Sequence, residues 1–146
     1  MAGTLAGLRT ADCFAQAAAD VLAVAFTGFH PVAGTRTARV DLDLRAGPDG
    51  AHGLTVTTVL PTTLLSPSSG EEFWRVQRRF SAAGRVTVTA EPTRCDLHAI
   101  AEDKVGSVLP VGLRLADGRE GIVRATASAA LRGRVLAWVA STCATG

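Results

Sequence analysis

The apolar positions of this chain change period once along its length. Phe14, Ala18, Val21, Leu22 and Ala25 recur at helical spacing and predict a helix over Thr10–Thr27. Thr10 is placed to cap its first turn, Asp12 sits where the helix dipole favours an anion, and Gly28 is placed to end it. Beyond that point the pattern alternates. Val40, Leu42 and Leu44 point one way and Arg39, Asp41, Asp43 and Arg45 the other, the signature of a half-buried strand. Gly47-Pro48-Asp49-Gly50 has turn chemistry and leads into the β-branched run Leu54–Leu60, predicting a hairpin across residues 46–53.

Residues 71–80 read both ways. Ser69 and Glu72 form a capping pair, with Phe73, Val76 and Phe80 on one helical face, and this favours a short helix over a strand. Val86, Val88 and Ala90 then alternate with polar residues, and Arg94–Glu102 is the next strand candidate. Val111–Leu115 and Ile122–Leu131 flank Asp117-Gly118, a two-residue hairpin signal. Arg132-Gly133-Arg134 reads as a further tight turn, followed by a buried strand, Val135–Ala140, that contains Trp138. Turns this short join antiparallel neighbours. The expected fold is therefore α+β: one domain spanning residues 1–146, an N-terminal helix packed on an antiparallel sheet of about six to seven strands.

Composition adds to this picture. Hydrophobic residues make up 47% of the 146 residues, ample for one core, but charged residues only 19%, below the usual share of about 25%. A small domain with so few charges leaves neutral or apolar surface outside, which points to contact with another subunit. The net charge of +2 is spread over fourteen arginines and the single Lys104. The densest basic group, Arg75, Arg78 and Arg79, sits beside Glu71 and Glu72, so no focused patch argues for nucleic acid. No apolar run approaches the roughly 20 residues of a membrane-spanning helix, and no signal-peptide pattern is present. Cys13, Cys95 and Cys143 are odd in number and widely spaced, without a disulfide framework or a Cys-x-x-Cys pair. Together these features suggest a reducing, cytoplasmic or otherwise intracellular setting.

Candidate chemistry concentrates in Cys95-Asp96-Leu97-His98, followed by Glu102 and Asp103. On a strand, Asp96 and His98 would share a face about 6–7 Å apart at the backbone, close enough for the carboxylate to orient the imidazole as half of a general base. The same face seen blandly is a solvated polar edge. His30, before Pro31, is expected on a connecting segment that could reach a pocket mouth, and His52 in a solvated turn. Asp41 and Asp43 read as a solvent face neutralised by Arg39 and Arg45. No phosphate-cradling or dinucleotide motif is present, and no cofactor or metal is implied.

Two functions follow from different classes. The first is a non-catalytic structural or interaction subunit of a homo- or hetero-oligomeric assembly, for example a particle or virion component. The second is a small-molecule-binding domain or enzyme, with a pocket between the N-terminal helix and the sheet and with Asp96 and His98 as its polar groups. The architecture alone does not choose between them.

Overall fold

The alternation of Val40, Leu42 and Leu44 against Asp41 and Asp43 produces the strand it predicts, and that strand lies in the middle of a sheet. A computed structural model describes residues 2–96 and 107–145. Helix α1 (Ala2–Val21) is followed by β1 (Leu22–Pro31), β2 (Ala38–Ala46), a 3-10 turn (Gly50–His52) and β3 (Leu54–Val59). Then come β4 (Leu65–Pro67), β5 (Trp74–Phe80), β6 (Gly84–Pro92), β7 (Leu109–Leu115), β8 (Glu120–Ala125) and helix α2 (Ala129–Thr145). The strands form two four-stranded antiparallel sheets, here called sheet A, in the order β1-β2-β6-β4, and sheet B, in the order β5-β3-β7-β8. The fold is α+β with an N-terminal helix, as expected. The single sheet of six to seven strands is replaced by two.

The inner faces meet in one hydrophobic cluster. Phe26, Phe29, Val40, Leu42 and Val86 come from sheet A, and Leu54, Val56, Val111 and Leu113 from sheet B. α1 packs on β8 and β1 through Phe14, Ala18 and Val21. Gly121 makes room for it, because a Cβ there would meet the Phe14 ring. α2 packs on β1 and β6. It brings Leu131, Val135 and Val139 into the cluster and sets Trp138 edge-on to Phe29, with ring centroids 5.2 Å apart.

Several local expectations are corrected. The predicted helix over 10–27 begins earlier and stops at Val21, and Leu22 and Ala25 belong to β1. Gly28 therefore lies within a strand. Residues 46–53 are not a hairpin, because β2 and β3 belong to different sheets. The segment instead carries the chain from one sheet to the other, and the N–H groups of Gly47 and Asp49 bond the carbonyls of Val21 and Asp20 at the end of α1.

Residues 74–80 form a strand rather than the favoured helix. Trp74 and Phe80 are both buried, Trp74 Nε1 donates to the Thr89 carbonyl at 2.9 Å, and Gln77 at φ 50° marks the irregularity that lets both aromatic rings face inward. β8 stops at Ala125, short of the predicted Leu131. Arg132-Gly133-Arg134 is part of α2, as is the predicted strand Val135–Ala140. The Ser128 hydroxyl accepts from the Leu131 N–H at 3.1 Å and caps this helix. The β7–β8 hairpin forms around Asp117-Gly118, but its loop has three residues. The Gly118 N–H bonds the Leu115 carbonyl, and the Leu115 N–H bonds the Arg119 carbonyl. Only Gly118, at φ 92°, is left-handed there. Of the predicted strand over 94–102, residues 94–96 are irregular, and the remainder lies outside the described residues.

Candidate functional site

On the outer face of sheet A, register brings together residues that are far apart in sequence. β1 pairs with β2 so that Gly28 lies opposite Asp41, and β2 pairs with β6 so that Asp41 lies opposite Thr87 and Asp43 opposite Arg85. A register shift between Phe26 and Gly28 lets Phe29 face the core while Gly28 and His30 face outward. Gly28 is the local requirement. A Cβ there would sit 2.5 Å from Asp41 Oδ2, so only the bare backbone lets the carboxylate lie over β1 and reach His30.

The resulting network is closed on itself. His30 Nε2 lies 3.0 Å from Asp41 Oδ2, the Thr87 hydroxyl donates to Asp41 Oδ1 at 2.8 Å, and Arg85 approaches Asp41 at 3.8 Å. Arg85 also donates through Nε to Asp43 at 2.6 Å. The Asp41 side chain is only 9% exposed, against 50% for His30. Burial by itself would push the Asp41 carboxyl up. The hydrogen bonds from Thr87 and His30, and the Arg85 charge, outweigh it and hold the group below its ordinary value. Asp43 is held low chiefly by its hydrogen bond from Arg85, against a smaller opposing effect of burial and with help from Thr27. Among the described residues, no buried side-chain nitrogen or oxygen lacks a partner.

A carboxylate orienting an imidazole was expected of Asp96 and His98; among the described residues the structure forms such a couple from His30 and Asp41. The two come from neighbouring strands, and His30 is a strand residue rather than part of a connection. Asp41 is buried, not part of a solvated face, and its charged neighbour is Arg85 rather than the flanking Arg39 or Arg45. Asp96 is exposed on the irregular segment after β6. His98, with Glu102 and Asp103, lies outside the described residues. The signal for His30–Asp41 lay in Gly28 and the alternation of β2, but reading it required the β1–β2 register.

Cysteine pairing is a further correction: Cys95 and Cys143 form a disulfide across a sequence separation of 48. It ties the segment after β6 to the last turns of α2. Arg36 reinforces the junction by donating to the Thr142 carbonyl at 3.1 Å, and Arg134 donates to the Phe29 carbonyl at 2.7 Å. Cys13 is exposed and unpaired.

A cleft opens where the end of α1, the 3-10 turn and the β7–β8 loop meet. Val21 and Leu115 contribute apolar walls, and Asp20, Asp49, Asp117, His52 and Arg119 the polar ones. Its volume of about 260 Å³ falls short of the roughly 300–1,000 Å³ usual for small-molecule sites. Asp117 is already paired with Arg119 at 2.9 Å. Among the described residues no group of three or more His, Cys, Asp or Glu side chains is arranged to hold a metal, and no helix is long and apolar enough to cross a membrane.

The outer face of sheet B has a different character. Arg79, Thr55, Arg114 and Glu120 form one cross-strand row, and Arg75, Thr58, Gly112 and Ile122 the next, with Arg124 opposite Pro110 beyond. A Cβ on Gly112 would strike the Thr57 and Thr58 hydroxyls, which lie over its backbone and level the middle of the face. At its β8 edge Ile122 is 56% exposed.

No protein-family model matches the sequence, and no curated protein matches it either.

Proposed function

We propose that the chain is a non-catalytic structural or interaction subunit of an assembly. One observation carries this reading. The outer face of sheet B presents Ile122, 56% exposed, on a level surface of threonines and arginines. Exposed aliphatic area on a face that also carries arginines is the composition of protein contact surfaces, where arginine is enriched and lysine depleted. The low charge fraction of the chain agrees with surface that another subunit covers. Sedimentation at micromolar concentration tests the reading. A species heavier than 15.0 kDa is expected, and a monomer throughout the range counts against self-assembly.

The His30–Asp41 couple supports a second reading, a ligand-binding or proton-transferring domain. In that case His30 and Asp41 would supply polar groups in addition to the Asp96 and His98 read from the sequence. The couple lies on an open sheet face and its carboxylate is fully engaged, which favours a fastening role. A substrate-class hydrolysis screen in which the native chain is active and His30→Ala is not would reverse this preference.

The disulfide bears on where the assembly works. Stable disulfides persist in oxidising compartments and are rare in the cytosol. The Cys95–Cys143 bond therefore supports an oxidising compartment over the cytoplasmic setting suggested by cysteine spacing. Thiol labelling of the protein from its native source would check this: one reactive thiol, Cys13, is expected, and three would return the chain to a reducing compartment.

A further inference from the structure

We infer that the subunit associates head to tail, the Ile122 edge of sheet B on one copy seating in the cleft beside α1 of the next. The inference rests on the assembly reading above and names its contact. Both halves of the contact are on the same chain and carry charge of opposite sign.

The projecting half is Ile122 with its surroundings. Arg114 and Arg124 stand near it with a single acid, Glu120, and Arg75 and Arg79 lie on the same face at the opposite edge, on β5, an excess of three positive charges over the face as a whole on a chain whose net charge is +2. Arg114 is drawn to Glu120 at 3.5 Å, and Arg79 donates to the His52 carbonyl at 3.4 Å. Arg75 lies over the Phe73 ring at 5.9 Å. Among the described residues, Arg75 and Arg124 have no ion-pair partner.

The receiving half is the cleft. Its three carboxylates, Asp20, Asp49 and Asp117, face Arg119, with the Arg79 guanidinium at the rim beside His52 and Gly53, and Val21 and Leu115 give it a small apolar floor. A volume of about 260 Å³ suits an aliphatic side chain and its immediate flanks better than a whole small molecule.

This pairing also decides among occupants. A sulfated or phosphorylated polymer would meet the arginines but leave Ile122 in water. A single-stranded nucleic acid would want aromatic platforms for its bases, and no aromatic residue stands in either cross-strand row. A second copy supplies apolar contact for Ile122 and the opposing charge. Because projection and cleft are different surfaces, the contact is heterologous and leaves each end of a dimer able to add another copy.

Velocity and equilibrium sedimentation of the full chain test this, with salt varied because contacts between exposed charges weaken as the screening length falls from about 10 Å at 0.1 M to about 3 Å at 1 M. Association that grows with concentration and weakens in high salt is expected. Ile122→Asp should weaken it at least tenfold, and so should the double variant Asp20→Asn, Asp49→Asn. These are surface changes, and circular dichroism will show that each variant keeps its fold.

Mixing the two variants gives the sharpest result. Each retains one intact half, so the mixture should form a dimer and stop there, while each variant alone stays monomeric. Self-association that ignores both variants and salt would overturn this contact but leave the assembly reading standing. A monomer under all conditions would overturn the contact and self-assembly together. A monomer that binds poly-L-glutamate through the arginines would overturn the second copy in favour of a foreign acidic partner.

Discussion

On the outer side of sheet A the charged groups answer one another: Asp41 holds His30, Thr87 and Arg85, and Arg85 also holds Asp43. On the outer side of sheet B Arg114 reaches Glu120, but Arg75 and Arg124 have no ion-pair partner among the described residues and Ile122 is in solvent. Sheet A is also the side to which α2 is fastened, by its packing on β1 and β6, by the disulfide and by the bond from Arg134 to Phe29. The difference separates two uses of surface polarity. A polar group that is buried and satisfied fixes the fold, and removing its partner is costly. A charge left in water contributes little to stability and remains available to something outside. Substitutions on the two faces should therefore differ sharply in their effect on stability.

The largest effect belongs to the fastening of sheet A. Breaking the disulfide with Cys143→Ser, or by reduction, should cost about 4 kcal/mol on the loop-entropy relation for a separation of 48 residues, measured by urea denaturation. A loss under 1 kcal/mol would mean that α2 is held by packing alone.

Next comes Asp41. Asp41→Asn should cost about 1–3 kcal/mol at neutral pH by weakening a buried charge-assisted network. Its sign with pH is set by the lowered carboxyl value. The stabilisation is fully present above the unfolded value, near 3.9, and is lost as pH falls through the lower folded value. The native chain and Asp41→Asn should therefore converge in stability as the medium is made acid. A gap that persists unchanged at low pH would show that charge is not what Asp41 supplies.

These two fasteners are also what the sequence disclosed least. Periodicity reported which side of β2 faces inward, and the buried Val40, Leu42 and Leu44 follow it. It was silent about Asp41 and His30, because their contact depends on a register shift in β1 and on the missing side chain of Gly28. Cys95 and Cys143 are joined through the tertiary fold rather than by local spacing. The apolar run Val135–Ala140 was short enough to read as a strand. The helical recurrence of Leu131, Val135 and Val139 with the Ser128 cap carried the decisive signal, and an assumed turn at Arg132-Gly133-Arg134 cut across it. Residues 71–80 failed for the opposite reason: a real capping pattern preceded a segment whose aromatics are claimed by the core between the sheets. The candidate couple Asp96–His98 was read from local alternation and His98 lies outside the described residues, whereas the His30–Asp41 couple spans two strands and needs their register.

Gly118 probes sheet B away from its arginines. Gly118→Val should cost about 1 kcal/mol or more, because a β-branched residue resists φ 92°, and a lower Tm in thermal denaturation would show it. An unchanged Tm would mean that the β7–β8 loop can adopt another geometry. The smallest effect is expected on the face itself. Arg75→Gln and Arg124→Gln should each change stability by no more than about 0.5 kcal/mol. A loss above 1 kcal/mol from either would erase the distinction between the two faces, since that arginine would then be holding the fold together.

The crossing segment after β2 has a kinetic consequence. The carbonyls at the end of α1 find their donors in Gly47 and Asp49, which take position only after β1 and β2 have turned back along each other. Gly47 is the residue that allows this approach, since a Cβ there would run into the Asp20 carbonyl. The final turn of the helix therefore gains these protein donors only once the sheet is in place, and until then its carbonyls are left to water. The helix end, the β1–β2 ribbon and the passage to sheet B should behave as one cooperative unit. In hydrogen exchange, the Gly47 and Asp49 amides would then be released together with the strands around them, rather than at the rate of a surface loop.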